Sequence, residues 1–443
     1  MLEGPSYLVS RDLPRACEQE STWIYTASLV TENSKEKRRL EEEEDIALRK
    51  SLKLADCLEK EETVQGFHDL SLSQRELTSN GQEDANHSDR NDLIHQIGRD
   101  LSVNCLLHCP RSDYGSIASL NQSFRSLVRS GELYKLRRML GIVEHWVYLS
   151  CNLLEWDAFD PNTGRWMHLP TMTSNECFMC SDKESLAVGT ELLVFGKEIE
   201  SHAIYKYSLL TNSWSPAMRT HTPRCLFSTA SLGEIAIVAG GCDSTGNVLS
   251  SVELYNSETG TWEILPSMNK ARKLCSGVFM DGKLYVLGGV GAGSSNILTS
   301  GEVYDLKTRS WVEIPEMFPA RGETNDAPAT AKAPPLLAVV KNQLYAAFYA
   351  EKEVLKYNKE RNSWSVIGRL PEQATSVNGW GLAFKACGDK LITIGGPRAM
   401  NGGFIEINSW EPDQGQDQGQ SQWNLLGRKH LGSFVYNCAV MGC

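Results

Sequence analysis

The chain has 443 residues, of which 41% are apolar and 22% are charged, and its formal net charge is −11 at pH 7. It is too long for one ordinary domain and long enough to bury a substantial core. The acidic balance argues against nucleic acid as a partner, because binding to phosphates requires a basic face. No stretch approaches the roughly 18 uncharged apolar residues of a membrane helix, so we expect no membrane partner either.

The N-terminal residues do not resemble a secretory signal, since they lack a basic start, an apolar core and a small-residue cleavage site. We therefore expect the protein in the cytoplasm, the nucleus or both. Its thirteen cysteines are an odd number and are widely spread, and a reducing compartment keeps such cysteines as thiols. Cys177 and Cys180 have metal-ligand spacing, but no second pair completes four ligands. The sequence predicts no metal site and no cofactor.

Residues 1–91 are polar and rich in charge blocks, as in KEKRRLEEEEDIALRK from residue 35. Such a segment cannot bury enough apolar surface to offset the entropy of ordering it. We predict a disordered acidic and polar N-terminal region, with a transient helix near residues 41–59.

Residues 92–142 have a helical pattern instead. Ile117, Leu120, Phe124, Leu127 and Val128 recur at helical spacing and share one face. About 50 residues of short helices have little core of their own, so we expect this segment to gain stability from a partner or a neighbouring domain.

From residue 143 onward the chain is a repeat of about 50 residues. One tryptophan recurs in each unit, at Trp166, Trp214, Trp262, Trp311, Trp364 and Trp423. An aromatic residue stands seven positions earlier in the first five units, at Phe159, Tyr207, Tyr255, Tyr304 and Tyr357. Turn formers lie between the two aromatics, which predicts a β-hairpin. Apolar strands ending in glycine pairs, such as KLYVLGG, lie upstream, so each unit is predicted to contain four strands.

These recurring residues resemble the kelch motif over about 300 residues. Six tryptophans imply a six-bladed β-propeller over residues 143–443. The first unit has no apolar strand directly before it, whereas the chain ends in the strand-like FVYNCAVMGC. We predict that this C-terminal strand completes the first blade and closes the ring, which hides strand edges that would otherwise pair with other chains. The fold class is therefore mainly β, with a small all-α segment before the propeller.

The tract LSVNCLLHCPRSDYGSIASLNQSFRSLV at 101–128 resembles an F-box, the helical module that docks on a Skp-type adaptor. Ser102, Asn104 and Phe124 depart from the family's usual Pro, acidic residue and Trp. An F-box before a kelch ring is similar to the plant F-box/kelch-repeat proteins. The resemblance implies adaptor-binding roles for Leu101, Leu106, Pro110, Leu120, Phe124, Leu127 and Val128.

The resemblance also implies a function: a non-catalytic substrate-recognition subunit of an SCF-type cullin-RING E3 ubiquitin ligase. Its partners would be a Skp-type adaptor, a cullin scaffold and a target protein held by the propeller. One alternative is a kelch scaffold, such as an actin-binding protein, with no link to ubiquitination. A metal-dependent propeller enzyme is disfavoured, because the propeller's histidines are few and scattered and no nucleophile stands beside a base.

Arginines recur ten residues after three of the tryptophans, at Arg224, Arg272 and Arg321. Equal offsets in a repeat predict equivalent positions, here the loops between blades at one mouth of the central channel. Related kelch adaptors use arginines at this repeat position to bind acidic peptides, and guanidinium groups suit the bidentate capture of carboxylates. These arginines are therefore candidate substrate-binding residues. The alternative is structural, with each arginine paired to carbonyls or carboxylates of the propeller itself.

Overall fold

The computed structural model describes residues 93–94, 97–152, 154–199, 201–293, 297–319, 332–374, 376, 378–396, 403–412, 423–430 and 434–443. These residues form two compact units that divide between Ile142 and Val143. The first is a helical unit and the second is a β-propeller. The N-terminal region predicted to be disordered, residues 1–91, lies outside the described residues.

The described part of the helical unit contains four α-helices and one 3-10 turn. They are α1 Gly98–Leu107, the turn Arg111–Asp113, α2 Tyr114–Leu120, α3 Gln122–Arg129 and α4 Glu132–Met139. Helix α3 begins where the Asn121 side chain accepts a hydrogen bond from the Phe124 backbone N–H at 2.9 Å, an N-cap that satisfies one of the free donors of the first turn. Gly131, with φ of 79°, allows the left-handed backbone that leads into α4.

The propeller strands follow in chain order. The first half comprises β1 His145–Ser150, β2 Asp157–Asp160, β3 Arg165–His168, β4 Met179–Val188, β5 Glu191–Lys197, β6 His202–Ser208, β7 Ser213–Pro216, β8 Ser228–Leu232, β9 Ile235–Ala239, β10 Val252–Asn256, β11 Thr261–Leu265, β12 Arg272–Lys273 and β13 Ser276–Met280. The second half comprises β14 Lys283–Leu287, β15 Val290–Gly291, β16 Gly301–Asp305, β17 Ser310–Ile314, β18 Leu336–Val340, β19 Gln343–Phe348, β20 Glu353–Asn358, β21 Ser363–Arg369, β22 Ala383–Cys387, β23 Lys390–Gly395, β24 Ile405–Trp410, β25 Asn424–Lys429 and β26 Asn437–Gly442.

These strands form six four-stranded antiparallel blades. In blade order the sheets are β26-β1-β2-β3, β4-β5-β6-β7, β8-β9-β10-β11, β13-β14-β16-β17, β18-β19-β20-β21 and β22-β23-β24-β25, and β12 pairs with β15 in a short extra ladder. The first strand of each sheet contacts the first strand of the next in the cycle β4, β8, β13, β18, β22, β26 and back to β4. These six strands therefore surround the central channel, and the predicted six-bladed propeller is confirmed.

The ring closes through the C-terminal strand, as the sequence predicted. Strand β26 pairs with β1 along its whole length, from His145 opposite Gly442 to Ser150 opposite Asn437. The first blade thus takes one strand from the end of the propeller sequence and three from its start.

The repeated aromatic residues hold neighbouring blades together. Tyr255 lies opposite Trp262 across the β10–β11 hairpin, and the two ring centroids are 5.0 Å apart. The indole N–H of Trp262 donates to the Met218 carbonyl of the preceding blade's connection at 2.9 Å. In the next blade, Trp311 donates to the Pro266 carbonyl at 2.7 Å in the same way. The tryptophan therefore recurs because each blade bonds to the one before it.

The glycine pairs lie where backbones approach closely. Gly289 has φ of 88°, and a Cβ atom there would lie 2.6 Å from the Lys273 carbonyl oxygen. No other residue fits that space with that backbone conformation. Apolar clusters then fill the gaps between blades; one joins Val147 and Phe159 of the first blade to Ile392 and Ile407 of the sixth.

Candidate functional site

The core of the helical unit is built around a buried arginine. Arg137 of α4 is 1% exposed, and its Nη1 donates to the carbonyls of Leu107 at 3.0 Å and Cys109 at 2.7 Å. The Tyr114 hydroxyl donates to the Leu106 carbonyl at 2.9 Å. The arginine satisfies carbonyls at and just beyond the C-terminal end of α1, and the Tyr114 hydroxyl adds to the Cys109 N–H that already bonds the Leu106 carbonyl. These bonds fix α1 against α4 and against the start of α2.

The seven residues predicted to bind an adaptor divide into two groups. Four form the apolar core of the helical unit and are 3–7% exposed: Leu106, Phe124, Leu127 and Val128. The other three are exposed: Leu101, Pro110 and Leu120. Leu101 is 58% exposed and Leu120 is 69% exposed, although both are large apolar residues. The buried group supports the helices, and only the exposed group can contact a partner directly.

Further exposed apolar side chains on this unit were not among the predicted residues. They are Ile94 and Ile97, each 37% exposed, Met139 at 50% and Leu140 at 59%. Ile94 and Ile97 precede α1 and Leu101 lies within it; their spacing of three and four residues was a signal that the sequence contained. These side chains are candidates for an interaction surface, which contiguous exposed apolar side chains form.

The two described arginines of the candidate substrate site are buried in ion pairs. Arg272 donates to the carbonyls of Gly288 at 3.1 Å and Ser300 at 2.9 Å, and to the Glu302 carboxylate at 2.8 Å. The side chains of Arg272 and Glu302 are both 0% exposed. Glu302 also accepts the backbone N–H groups of Asn269 at 2.7 Å and Lys270 at 3.1 Å.

Blade 3 repeats this arrangement. Arg224 donates to the Gly240 and Ser251 carbonyls at 3.1 and 2.8 Å and to the Glu253 carboxylate at 2.5 Å, and both charged side chains are 1% exposed. Burial raises the pKa of the Glu253 carboxyl, but the Thr222 N–H and the Arg224 charge outweigh it and hold that pKa below its ordinary value.

Arg224 and Arg272 lie in the connections between blades, as predicted, but each guanidinium points into the protein. An arginine with those internal partners is not available to a substrate at the surface. The structure therefore favours the structural alternative for these two candidate substrate-binding residues. Arg321, the third member of the set, lies outside the described residues.

The sequence reasoning missed the carboxylate partners of these arginines. Glu253 and Glu302 each stand two residues before the repeated tyrosine, in VELYN and GEVYD, so the glutamate recurs in register with the arginine. The sequence signal for a buried ion pair was therefore the joint recurrence of an arginine ten residues after the tryptophan and a glutamate two residues before the tyrosine.

The central channel contains a cavity of about 80 Å³ lined by residues from all six blades. Two lysines line it, Lys183 and Lys385, together with the hydroxyl-bearing Ser228, Thr229 and Ser276. The Lys183 ammonium donates to the Leu382 carbonyl at 2.5 Å. Burial, reinforced by the nearby charge of Lys385, lowers the pKa of Lys183 to about 8. Two cations and several hydroxyls in one cavity can hold an anionic group.

Within the described ranges, no group of three or more His, Cys, Asp and Glu side chains could hold a metal ion. No helix among those residues is long and apolar enough to cross a membrane. The spaced pair Cys177 and Cys180 occurs as free thiols.

Comparison with known proteins places this architecture in a family. Residues 223–269 and 271–318 match the family model described as the Kelch motif. An F-box/kelch-repeat protein of Arabidopsis thaliana is 55% identical to this chain over 455 residues, which covers 100% of both chains. The F-box/kelch-repeat protein SKIP11 of the same organism is 63% identical over 373 residues, or 84% of this chain and 79% of the relative. A further F-box/kelch-repeat protein of Arabidopsis thaliana is 59% identical over 370 residues, or 83% and 87% of the two chains.

This chain belongs to the F-box/kelch-repeat family. Both matched kelch segments coincide with the blades that contain the buried arginine and glutamate pairs, Arg224 with Glu253 and Arg272 with Glu302. In this F-box/kelch-repeat protein the repeated arginine is thus part of the propeller's internal framework, alongside the glycine pair and the tryptophan.

Proposed function

We propose that this F-box/kelch-repeat protein is the substrate-recognition subunit of an SCF-type cullin-RING E3 ubiquitin ligase. Its helical unit is the F-box and docks on a Skp-type adaptor, which connects it to a cullin scaffold. Its propeller binds the target protein that is to be ubiquitinated. It acts as a receptor without catalysing the transfer itself, in the cytoplasm, the nucleus or both.

The observation that carries the proposal is the exposure of large apolar side chains on the helical unit. Leu120 is 69% exposed and Leu101 58% exposed, next to a core that already contains Leu106 and Phe124. Burying one such leucine in an interface is worth about 1.5–3 kcal/mol. Docking on an adaptor would therefore remove these leucine side chains from water and stabilise the complex.

The structure makes Leu120→Asp a clean test of adaptor docking. Because Leu120 is exposed at the end of α2, an aspartate there does not disturb the core, whereas a change at Phe124 would. We expect the affinity for a Skp-type adaptor to fall about 10- to 150-fold, which corresponds to the loss of 1.5–3 kcal/mol. Isothermal titration calorimetry of the full chain with purified adaptor measures this change.

The matched control is Ile264→Asp on the propeller. Ile264 is 60% exposed on β11, so it undergoes the same apolar-to-acidic change at similar exposure in the other unit. This variant should bind the adaptor as the unaltered protein does. A folded Leu120→Asp protein with unchanged adaptor affinity would contradict the ligase proposal and favour a kelch scaffold that acts without ubiquitination.

The two proposed roles can also be separated in one experiment. Proteins that co-purify with the Leu120→Asp variant should still include the target, because the propeller is unaltered, while ubiquitination of that target should fall. Loss of both target and adaptor would instead indicate that the variant is misfolded, which circular dichroism detects.

A further inference from the structure

Two cysteines face each other at the open end of the inner hairpin of blade 3. Cys225 precedes β8, Ser228–Leu232, and Cys242 follows β9, Ile235–Ala239. The Cys225 N–H donates to the Cys242 carbonyl at 2.9 Å, and the Cys242 N–H donates to the Cys225 carbonyl at 2.8 Å. Their Sγ atoms are 3.5 Å apart, and both cysteines are free.

This geometry places the two thiols within reach of a disulfide. Two residues of an antiparallel pair that exchange both backbone hydrogen bonds have Cα atoms about 5.5 Å apart. Disulfides span Cα separations of about 4.4–6.8 Å. The two sulfur atoms need to approach by about 1.5 Å to reach bonding distance, which rotation of the side chains supplies. Cys225 is half-buried and Cys242 is 6% exposed, so a small solute reaches Cys242 from the Cys225 side.

The pair also has the electrostatics of a reactive dithiol. A hydrogen bond from the Cys225 thiol and the charge of Lys273 lower the pKa of Cys242 to about 7, against the effects of burial and of Asp243. The same hydrogen bond, acting on the donor, raises the pKa of Cys225. Since the thiolate is the nucleophile in thiol oxidation, Cys242 attacks first and Cys225 resolves.

Three buried cysteines elsewhere in the propeller differ from this pair. Burial raises the pKa of Cys275 and Cys438 to about 11 and that of Cys387 to about 12, so these thiols stay protonated. The equivalent backbone pair of blade 4 is Lys273 opposite Val290, which contains no thiol. The dithiol is therefore an individual feature of blade 3 and not a requirement of the kelch repeat.

We propose that Cys225 and Cys242 are a redox modification site that a peroxide converts reversibly into a disulfide. The Cys242 thiolate attacks one peroxide oxygen; an S–O bond forms, the O–O bond breaks, and the hydroxide that leaves takes up a proton as water. The Cys225 sulfur then attacks the Cys242 sulfur; the S–S bond forms, the S–O bond breaks, and the second water leaves with the Cys225 proton. Two thiols and one hydrogen peroxide give one disulfide and two waters.

The disulfide would fix the loop that begins beside Arg224. Cys225 directly follows that arginine, and Leu226, with φ of 59°, continues the connection from blade 2 into β8. A covalent link between the two sides of the hairpin restricts this connection to one conformation. Oxidation would thus alter a loop at the propeller face where the connections between blades emerge.

Peptide mapping of the full chain after hydrogen peroxide treatment tests the proposal. Trypsin releases residues 225–270 as one peptide that contains these two cysteines and no other. We expect this peptide to lose two hydrogens after oxidation and to regain them with dithiothreitol. Cleavage after Glu234 separates the two cysteines, so the fragments should remain joined until they are reduced.

The rate of oxidation provides a second measurement. Because the pKa of Cys242 is lowered, the thiolate fraction and therefore the rate should rise with pH below the range in which an ordinary thiol ionises, about pH 8.5. Cys225→Ser and Cys242→Ser should each prevent disulfide formation, whereas the control Cys275→Ser, at a buried thiol of blade 4, should leave it unchanged. Two free thiols in residues 225–270 of the unaltered, peroxide-treated protein would overturn the proposal, and so would linkage of either cysteine to a different one. Because the peptide mapping uses the unaltered protein, its result does not depend on whether the variants fold.

Discussion

Replacing Arg272 with an uncharged residue tests whether this arginine stabilises the propeller or binds the substrate. In Arg272→Met, the long apolar side chain fills much of the same volume, but Glu302 loses its cation. The carboxylate keeps only the two backbone N–H groups of Asn269 and Lys270, in a site where its side chain is 0% exposed. Leaving one member of a buried pair without the other costs about 3–5 kcal/mol.

That loss should be visible in thermal unfolding. For a propeller of this size we expect the melting temperature to fall by about 5–15 °C, measured by circular dichroism on the full chain. The double variant Arg272→Met with Glu302→Gln should recover part of this loss, because it removes the uncompensated charge.

The control is a second arginine of the same blade. Arg309 bonds Glu263 at 2.8 Å, but the two side chains are 42% and 38% exposed. Since solvent screens such a pair, Arg309→Met should cost no more than about 1 kcal/mol. If Arg272→Met melts like the unaltered protein and loses its target instead, the structural interpretation of the repeated arginine is wrong.

Two further predictions concern ring closure and pH. Deleting residues 434–443 removes β26 and exposes the channel-side edge of β1, so the truncated protein should aggregate, which size-exclusion chromatography detects. A truncated monomer with an unaltered melting temperature would refute closure of the ring by this strand. The pKa of Glu253 is lower in the folded protein than in the unfolded chain, where it is about 4.3. Its ion pair with Arg224 therefore stabilises the fold above about pH 5, and this stabilisation is lost as the pH falls through the folded pKa. Between about pH 6 and pH 3.5, the melting temperature of Glu253→Gln should therefore fall less than that of the unaltered protein or of the exposed control Glu360→Gln. An equal fall in all three proteins would contradict a stabilising role for the Glu253–Arg224 ion pair.

The propeller was predictable from the pattern of residues along the chain. Tyr255 and Trp262 lie opposite each other because a short hairpin has one register, and the same spacing recurs in the following two blades. Closure by the C-terminal strand was also predictable, since the first blade lacked a strand and the chain ended in one. The hairpin register and the closure of the ring follow from the local spacing of residues and from the number of strands, and both can be read from the sequence.

Which side chains are available to a partner depends on the packing of distant parts of the chain. Leu120 and Phe124 share the helical pattern, yet one is 69% exposed and the other 7%, because burial depends on which neighbouring helix covers each side chain. Arg272 was predicted for its place in the repeat, but its partner Glu302 lies thirty residues along the chain, and only strand pairing brings the two charges together. Cys225 and Cys242 likewise meet through the pairing of two strands. Spacing gives a residue its position in a blade, whereas exposure and partnership depend on what the other blades and helices place around it.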